Sequence, residues 1–248
     1  MRYLITFSYD GTNYNGYQKQ KNKRTIQQTI EQALTKINSN NKVIIHASGR
    51  TDAKVHALNQ AAHFDLEKNY NLKEIKEKLN KMLPNDIYIN HIEEVDNNFH
   101  ARFNVEKKKY VYKINILEYN LFDRNYVYQY NKNLNISKMK EASKYFIGKH
   151  DFKSFTKATK EITNYTRTIY DINIKQENGI IYLEFIGDGF LRYMVRNIVG
   201  TLIFVGEEKI NPKDIVDIIN KKDRKEAFIT APAEGLYLDT VYYKKKIN

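Results

Sequence analysis

The chain has 248 residues, with 41 Lys and Arg against 29 Asp and Glu, a net charge of +12 and an isoelectric point near 9.4. That length allows one large domain or two of ordinary size, and 42% hydrophobic content argues for a folded protein rather than a disordered one. The absence of any run of about 18 apolar residues excludes a transmembrane helix, and the absence of cysteine excludes disulfides, thiolate nucleophiles and Cys-type zinc sites. The first ten residues lack the apolar block and small-residue cleavage site of a signal peptide, so a cytoplasmic location is expected. Histidines at 46, 56, 63, 91, 100 and 150 form neither H-E-x-x-H nor a tight helical pair, and no metal is expected.

Residues 2 to 9 alternate as a strand does, and a turn-rich loop with glycines at 11 and 16 follows. Thr25 and Gln28 spell a capping box, after which Ile26, Ile30, Ala33, Leu34 and Ile37 recur at helical spacing. "KVIIHAS" reads as a strand entering "SGRTDAKVH" (48–56), and "QAAHFDL" as one leaving it. The nonapeptide has only Ala53 and Val55 to bury, so it is a loop between strands. Leu72, Ile75, Leu79, Met82 and Leu83 make a second helical stripe that Pro84 ends, and "DIYINHIEEV" is a strand. Near residue 106 the pattern restarts: a long strand "EKKKYVYKINIL", then "YVYQY", then a helix from Ile136 stopped by Gly148. Strands near 166–176 and 180–187, a helix "FLRYMVRNIVGTLIFV", a short helix from Pro212 and a last strand "LYLDTVYY" complete the chain. The expectation is two α+β domains, 1–104 and 105–248.

The charge points to a polyanionic partner, though a chain rich in Lys, Asn and Ile also results from AT-rich coding sequence. Twenty tyrosines and 12 phenylalanines, often beside Lys or Arg as in "KKKYVYKI", favour nucleic acid, because bases stack on rings while cations hold phosphates. Half-buried strands use the same alternation. Asp52 lies two residues from Arg50, and a carboxylate kept ionised by a guanidinium can oppose positive charge or attack an electrophilic carbon. The plain alternative is an Arg–Asp pair closing a turn. In "IGDGFLRYMVRN" the third glycine of a dinucleotide fingerprint is replaced by Arg192, so no nucleotide cofactor is expected. Arg192 and Arg196, four apart on an apolar helix, need anionic partners, either a carboxylate or a phosphate.

Six segments in order, "YDGTNYNGYQKQ", "SGRTDAKVHALNQ", "KKYVY", "HDFKSF", "GFLRYMVRNIVGTLIFVG" and "APAEGLYL", resemble the tRNA pseudouridine synthase A family and span nearly the whole chain. The resemblance implies two ferredoxin- or RNA-recognition-like α+β domains with antiparallel sheets forming one extended surface and an active-site cleft between them. The first domain would carry the catalytic aspartate loop and the second would complete the cleft. It also implies a homodimer that binds the tRNA anticodon arm and isomerises uridines 38 to 40 without cofactor or metal. Carried over, Asp52 is the catalytic aspartate, Tyr110 stacks on the flipped uracil, Arg196 pairs with Asp52, and Leu236 lines the uridine pocket. Arg50 would help extrude the base or contact phosphate, while Lys54 and Arg192 are candidate tRNA contacts.

Two positions depart from the family pattern. Lys54 stands where glycine is usual, and a positive φ there would cost a lysine about 1–2 kcal/mol. Tyr17 replaces a tryptophan, keeping a ring but losing area and the indole N–H. The alternatives to an anticodon-arm isomerase are a divergent paralogue acting on another RNA uridine, or a non-catalytic tRNA-binding or folding protein on the same scaffold. A DNA-binding protein would need a helix-turn-helix or basic heptad segment, and neither is present.

Overall fold

The computed structural model describes residues 1–157 and 163–244. The chain forms two compact α+β units, Met1–Glu106 joined by the C-terminal strand from Tyr237, and Lys107–Leu236.

In the first unit the chain runs β1 (Arg2–Tyr9), α1 (Ile26–Ile37), β2 (His46–Ala47), β3 (His56–Asp65), α2 (Leu72–Met82) and β4 (Ile87–Val95). β1 pairs antiparallel with both β3 and β4. Tyr3, Ile5, Phe7, Phe64 and Ile89 are fully buried, as are Ile30, Leu34 and Leu79 on the apolar stripes of the two helices. Each such side chain contributes roughly 1.5–3 kcal/mol by leaving water. Asn80 locks α2 to β4: its side chain donates to the Ile89 carbonyl (3.1 Å) and accepts from the Ile89 N–H (2.8 Å).

Two local expectations change. Thr25 occupies the N-cap of α1, yet its hydroxyl is buried and makes no cap hydrogen bond, so the capping box does not form. The expected strand at 42–48 shrinks to His46–Ala47. Side chains of α1 take the donors that a ladder would use: the Val43 N–H donates to Thr35 Oγ1 and the Ile45 N–H to Glu31 Oε1.

The second unit runs β5 (Val105–Asn115), β6 (Tyr128–Gln129), α3 (Ile136–Ser143), β7 (Gly148–Asp151), β8 (Thr166–Glu177), β9 (Ile180–Gly187), α4 (Met194–Gly206) and α5 (Asp214–Lys221). Its strands lie in the order β5-β9-β8-β7, antiparallel throughout, with β6 parallel on the flank of β5. α4 is buried along nearly its whole length by Val195, Ile198, Val199, Leu202, Ile203 and Val205, as expected for a core helix that is apolar all round.

The last strand, β10 (Leu236–Tyr243), leaves the second unit and pairs parallel with β3, Tyr237 opposite His56 and Leu238 opposite Ala57. The first unit's sheet is therefore β4-β1-β3-β10, with β2 on β3. The sequence reading kept this strand with 105–248; alternation identifies a strand but not a parallel partner far earlier in the chain. Both units are α+β.

Candidate active site

The loop at 48–55 joins β2 to β3 with no ladder of its own, and its shape is imposed by the segment 9–17. The Tyr17 N–H donates to the Thr51 carbonyl (3.1 Å), and the Lys54 N–H reaches the Tyr14 carbonyl at 3.4 Å. Two glycines make that approach possible. A Cβ on Gly11 would overlap the Val55 carbonyl, and one on Gly16, which sits at φ +90°, would lie 2.9 Å from the Thr51 oxygen. Between these contacts the chain turns tightly, with the Val55 N–H donating to the Asp52 carbonyl (3.2 Å). His56 closes the loop, buried, accepting the Gly11 N–H on Nδ1 (3.1 Å) and stacked on Tyr237.

Three of the residues singled out from sequence share this loop. Asp52 is half-buried, while Arg50 and Lys54 on either side are exposed. Lys54 has φ +65°, so the backbone there does adopt the left-handed conformation that favours glycine.

In the second unit, Tyr110 lies on β5 opposite Phe185 of β9, with its ring edge-to-face against Phe190 at 5.1 Å. Arg196 lies in the first turn of α4. Its Nε donates to the Ala231 carbonyl (2.7 Å), and the Ala231 N–H donates back to the Arg196 carbonyl (3.1 Å). This ties the "TAPAEG" turn to the helix. Tyr112, fully buried, holds the same turn by donating its hydroxyl to the Pro232 carbonyl (2.7 Å). Leu236 follows immediately and is buried, its N–H capping the turn on the Ala233 carbonyl. Burial, reinforced by the Glu234 charge, raises the Tyr112 phenol well above its usual range, so this hydroxyl stays protonated.

Arg192 does not share a helical face with Arg196. α4 starts at Met194, and its N-cap, Tyr193, has φ +63°, which turns the chain before the helix begins. Tyr193 nevertheless brings the two cations together: the Arg192 guanidinium lies 4.8 Å and that of Arg196 5.4 Å from its ring centroid. Arg192 also donates to the Tyr193 hydroxyl (2.9 Å).

The sequence reading missed three groupings. Asn197, fully buried one residue after Arg196, donates to the Phe155 carbonyl (2.6 Å) and accepts from Arg224 and Thr230, which makes "HDFKSF" a brace for α4. Tyr9 and Gln60 bond side chains to the Asp52 loop. His46, His63 and His100 pack their rings 4.6 to 5.8 Å apart. His63 accepts the Ala101 N–H (3.1 Å), and burial, then the neighbouring His100 and Arg2, hold it at about 4. Helical or strand periodicity marks none of these; a lone Asn within an apolar helix is the one signal in the sequence that points to any of them. Among the described residues no three His or carboxylate groups converge as metal ligands would, and no helix is long and apolar enough to cross a membrane.

A family model described as tRNA pseudouridine synthase matches residues 5–104 and 142–244. The chain is 45% identical over 243 residues to tRNA pseudouridine synthase A 1 of Bacillus cereus, covering 98% of each chain. It is 46% identical over 242 residues to tRNA pseudouridine synthase A of Pseudothermotoga lettingae, covering 97% of this chain and 98% of that one. The corresponding enzyme of Limosilactobacillus reuteri is 42% identical over 248 residues, 98% of this chain and 96% of that one. The family model takes in Asp52, Arg196 and Leu236, the relatives cover 97–98% of the chain, and the chain belongs to the tRNA pseudouridine synthase family, enzymes that isomerise uridine in tRNA.

Proposed function

We propose that the protein converts uridine to pseudouridine at positions 38 to 40 of the tRNA anticodon arm. Family membership over both units supports this, and the observation that carries it to a site is the Asp52 loop: a carboxylate in a tight turn braced from behind by two glycines, with cations on both flanks.

The reaction is an isomerisation. The N1–C1′ bond breaks, uracil turns, C5 bonds to C1′, the C5 proton leaves and N1 gains one. A hydrolytic glycosidase typically sets a second carboxylate across the scissile bond to handle water; here no external acceptor enters, so one carboxylate suffices. Ionised Asp52 opposes oxocarbenium character on the ribose, captures C1′, or removes a C2′ proton to give a glycal. Tyr110, Arg196 and Leu236 bind the uridine, Tyr110 under the uracil ring. Arg50 assists in taking the nucleotide out of its stack, a step the chemistry requires because C1′ is inaccessible in a stem. Lys54 and Arg192 contact phosphate. No cofactor takes part. The enzyme acts as a homodimer in the cytoplasm.

The test is to incubate the protein with unmodified tRNA and map pseudouridine at single-nucleotide resolution. Product at 38 to 40 supports the reading. Product at another uridine identifies a divergent paralogue, and tight binding without product identifies a tRNA-binding or folding protein.

A further inference from the structure

The Asp52 loop has no ladder to hold it, yet catalysis by a carboxylate needs its position fixed to a fraction of an ångström. Two side chains from the strands on which the loop rests, Tyr9 at the end of β1 and Gln60 in β3, address the run of residues leading to Asp52. Gln60 is fully buried. Its Oε1 accepts from Ser48 Oγ (2.7 Å) and from the Ala61 N–H (3.1 Å), and its Nε2 donates to the Gly49 carbonyl (3.1 Å). Both Oε1 lone pairs are thus taken and one Nε2 proton is engaged.

The Tyr9 hydroxyl in turn shares a 2.7 Å hydrogen bond with Thr51 Oγ1, the side chain directly before Asp52. The Thr51 carbonyl is held from the other direction by the Tyr17 N–H. Ser48 and Gly49 are thus tied to Gln60, and Thr51 to Tyr9. Tyr9 is only 4% exposed, and burial pushes its phenol up to about 12, so it stays protonated through the working range and is no proton acceptor for substrate.

We infer that Tyr9 and Gln60 are positioning residues for the catalytic carboxylate, setting the height and direction of the Asp52 loop through Thr51, Gly49 and Ser48. This rests on the proposed role of Asp52. A buried amide with its acceptor filled and a donor engaged has little slack, so its loss leaves its neighbours unsatisfied or makes the loop shift to satisfy them. The geometry separates this role from simple stabilisation: these hydrogen bonds end on the loop, that of Tyr9 on the residue beside Asp52, not in the apolar core.

The experiment measures kcat, KM, tRNA affinity and melting temperature for the wild type, Tyr9→Phe, Thr51→Val, the double variant, Gln60→Met and Asp52→Ala. Tyr9→Phe removes one oxygen and keeps the ring, so it is the variant most certain to fold. The expected result is a fall in kcat per folded enzyme of roughly 10- to 100-fold for Tyr9→Phe, with KM and tRNA affinity within about threefold. The double variant should be no slower than the worse single one, because both break the same link. Wild-type kcat in folded Tyr9→Phe and Gln60→Met, with Asp52→Ala inactive, overturns the positioning role and leaves the enzyme reading intact. Multiplying effects in the double variant overturn the shared Tyr9–Thr51 link. No turnover by wild-type protein overturns the reading beneath it.

Discussion

The Asp52 loop and the start of α4 both present a charged side chain at a fixed place, and they do so by opposite means. The loop has almost no apolar content and is held by backbone contacts that two glycines permit and by buried polar side chains. Arg196 instead rides on a helix whose other faces are packed in the core, with one carbonyl, that of Ala231, orienting its Nε. Apolar packing distributes its free energy over many weak contacts, so a lost methylene costs stability while the helix axis stays in place. A polar brace concentrates position in a few atoms, and losing one moves what it holds. Stability and activity should therefore separate between the two regions.

The largest effect expected on stability comes from the helix. Leu202→Ala should destabilise the fold by about 2–5 kcal/mol, through lost transfer free energy and an unfilled cavity, while kcat of the folded fraction stays within about threefold; urea unfolding and kcat measured below the transition test both halves. Gly16→Ala should do the reverse, at about 1–3 kcal/mol of stability but a loss of up to roughly 100-fold in kcat, because the added methyl presses on the Thr51 carbonyl. Equal kcat losses in the two variants would erase the distinction.

Lys54→Gly sharpens the comparison within the loop itself. At φ +65°, relief of the left-handed strain should stabilise the protein by about 1 kcal/mol. Loss of the cation should weaken tRNA binding and lower the salt dependence of affinity by about one unit of slope. Unchanged affinity at all salt concentrations removes Lys54 from the phosphate contacts.

The smallest effect is on acidification. With His63 held at about 4 against a usual 6.5, the unfolded chain binds more protons than the native one between those values. Stability is fully present above about pH 6.5 and falls as pH drops toward 4. His100 is lowered as well and adds in the same direction. The melting temperature should decline over that window, and His63→Asn should flatten the decline.

Much of the architecture was legible because periodicity reports local burial. The strands at 2–9, 180–187 and 236–243, and the helices from Ile26 and Leu72, appear where alternation or a helical stripe placed them. What failed depended on partners outside the window. The 42–45 segment looks like strand, but Thr35 and Glu31 side chains take its donors. Arg192 fits a helical face until Tyr193 adopts a left-handed φ. β10 reads as the end of the second domain until its parallel partner is known. At the site, Asp52 and the glycines were visible as residue types in an unlikely place for packing, and the expected strain at Lys54 matches its backbone. Gln60 and Tyr9 looked like ordinary strand residues, because a one-dimensional pattern does not say which polar atoms meet.

The central claim is that this protein releases the C5 hydrogen of a tRNA uridine through the action of Asp52. Unmodified tRNA carrying tritium at uridine C5 tests it directly, comparing wild type with Asp52→Ala. Wild-type protein should release one equivalent of tritium per modified site, and Asp52→Ala should release none while still binding tRNA. Release at the wild-type rate by Asp52→Ala, or binding without release by the wild type, would contradict it.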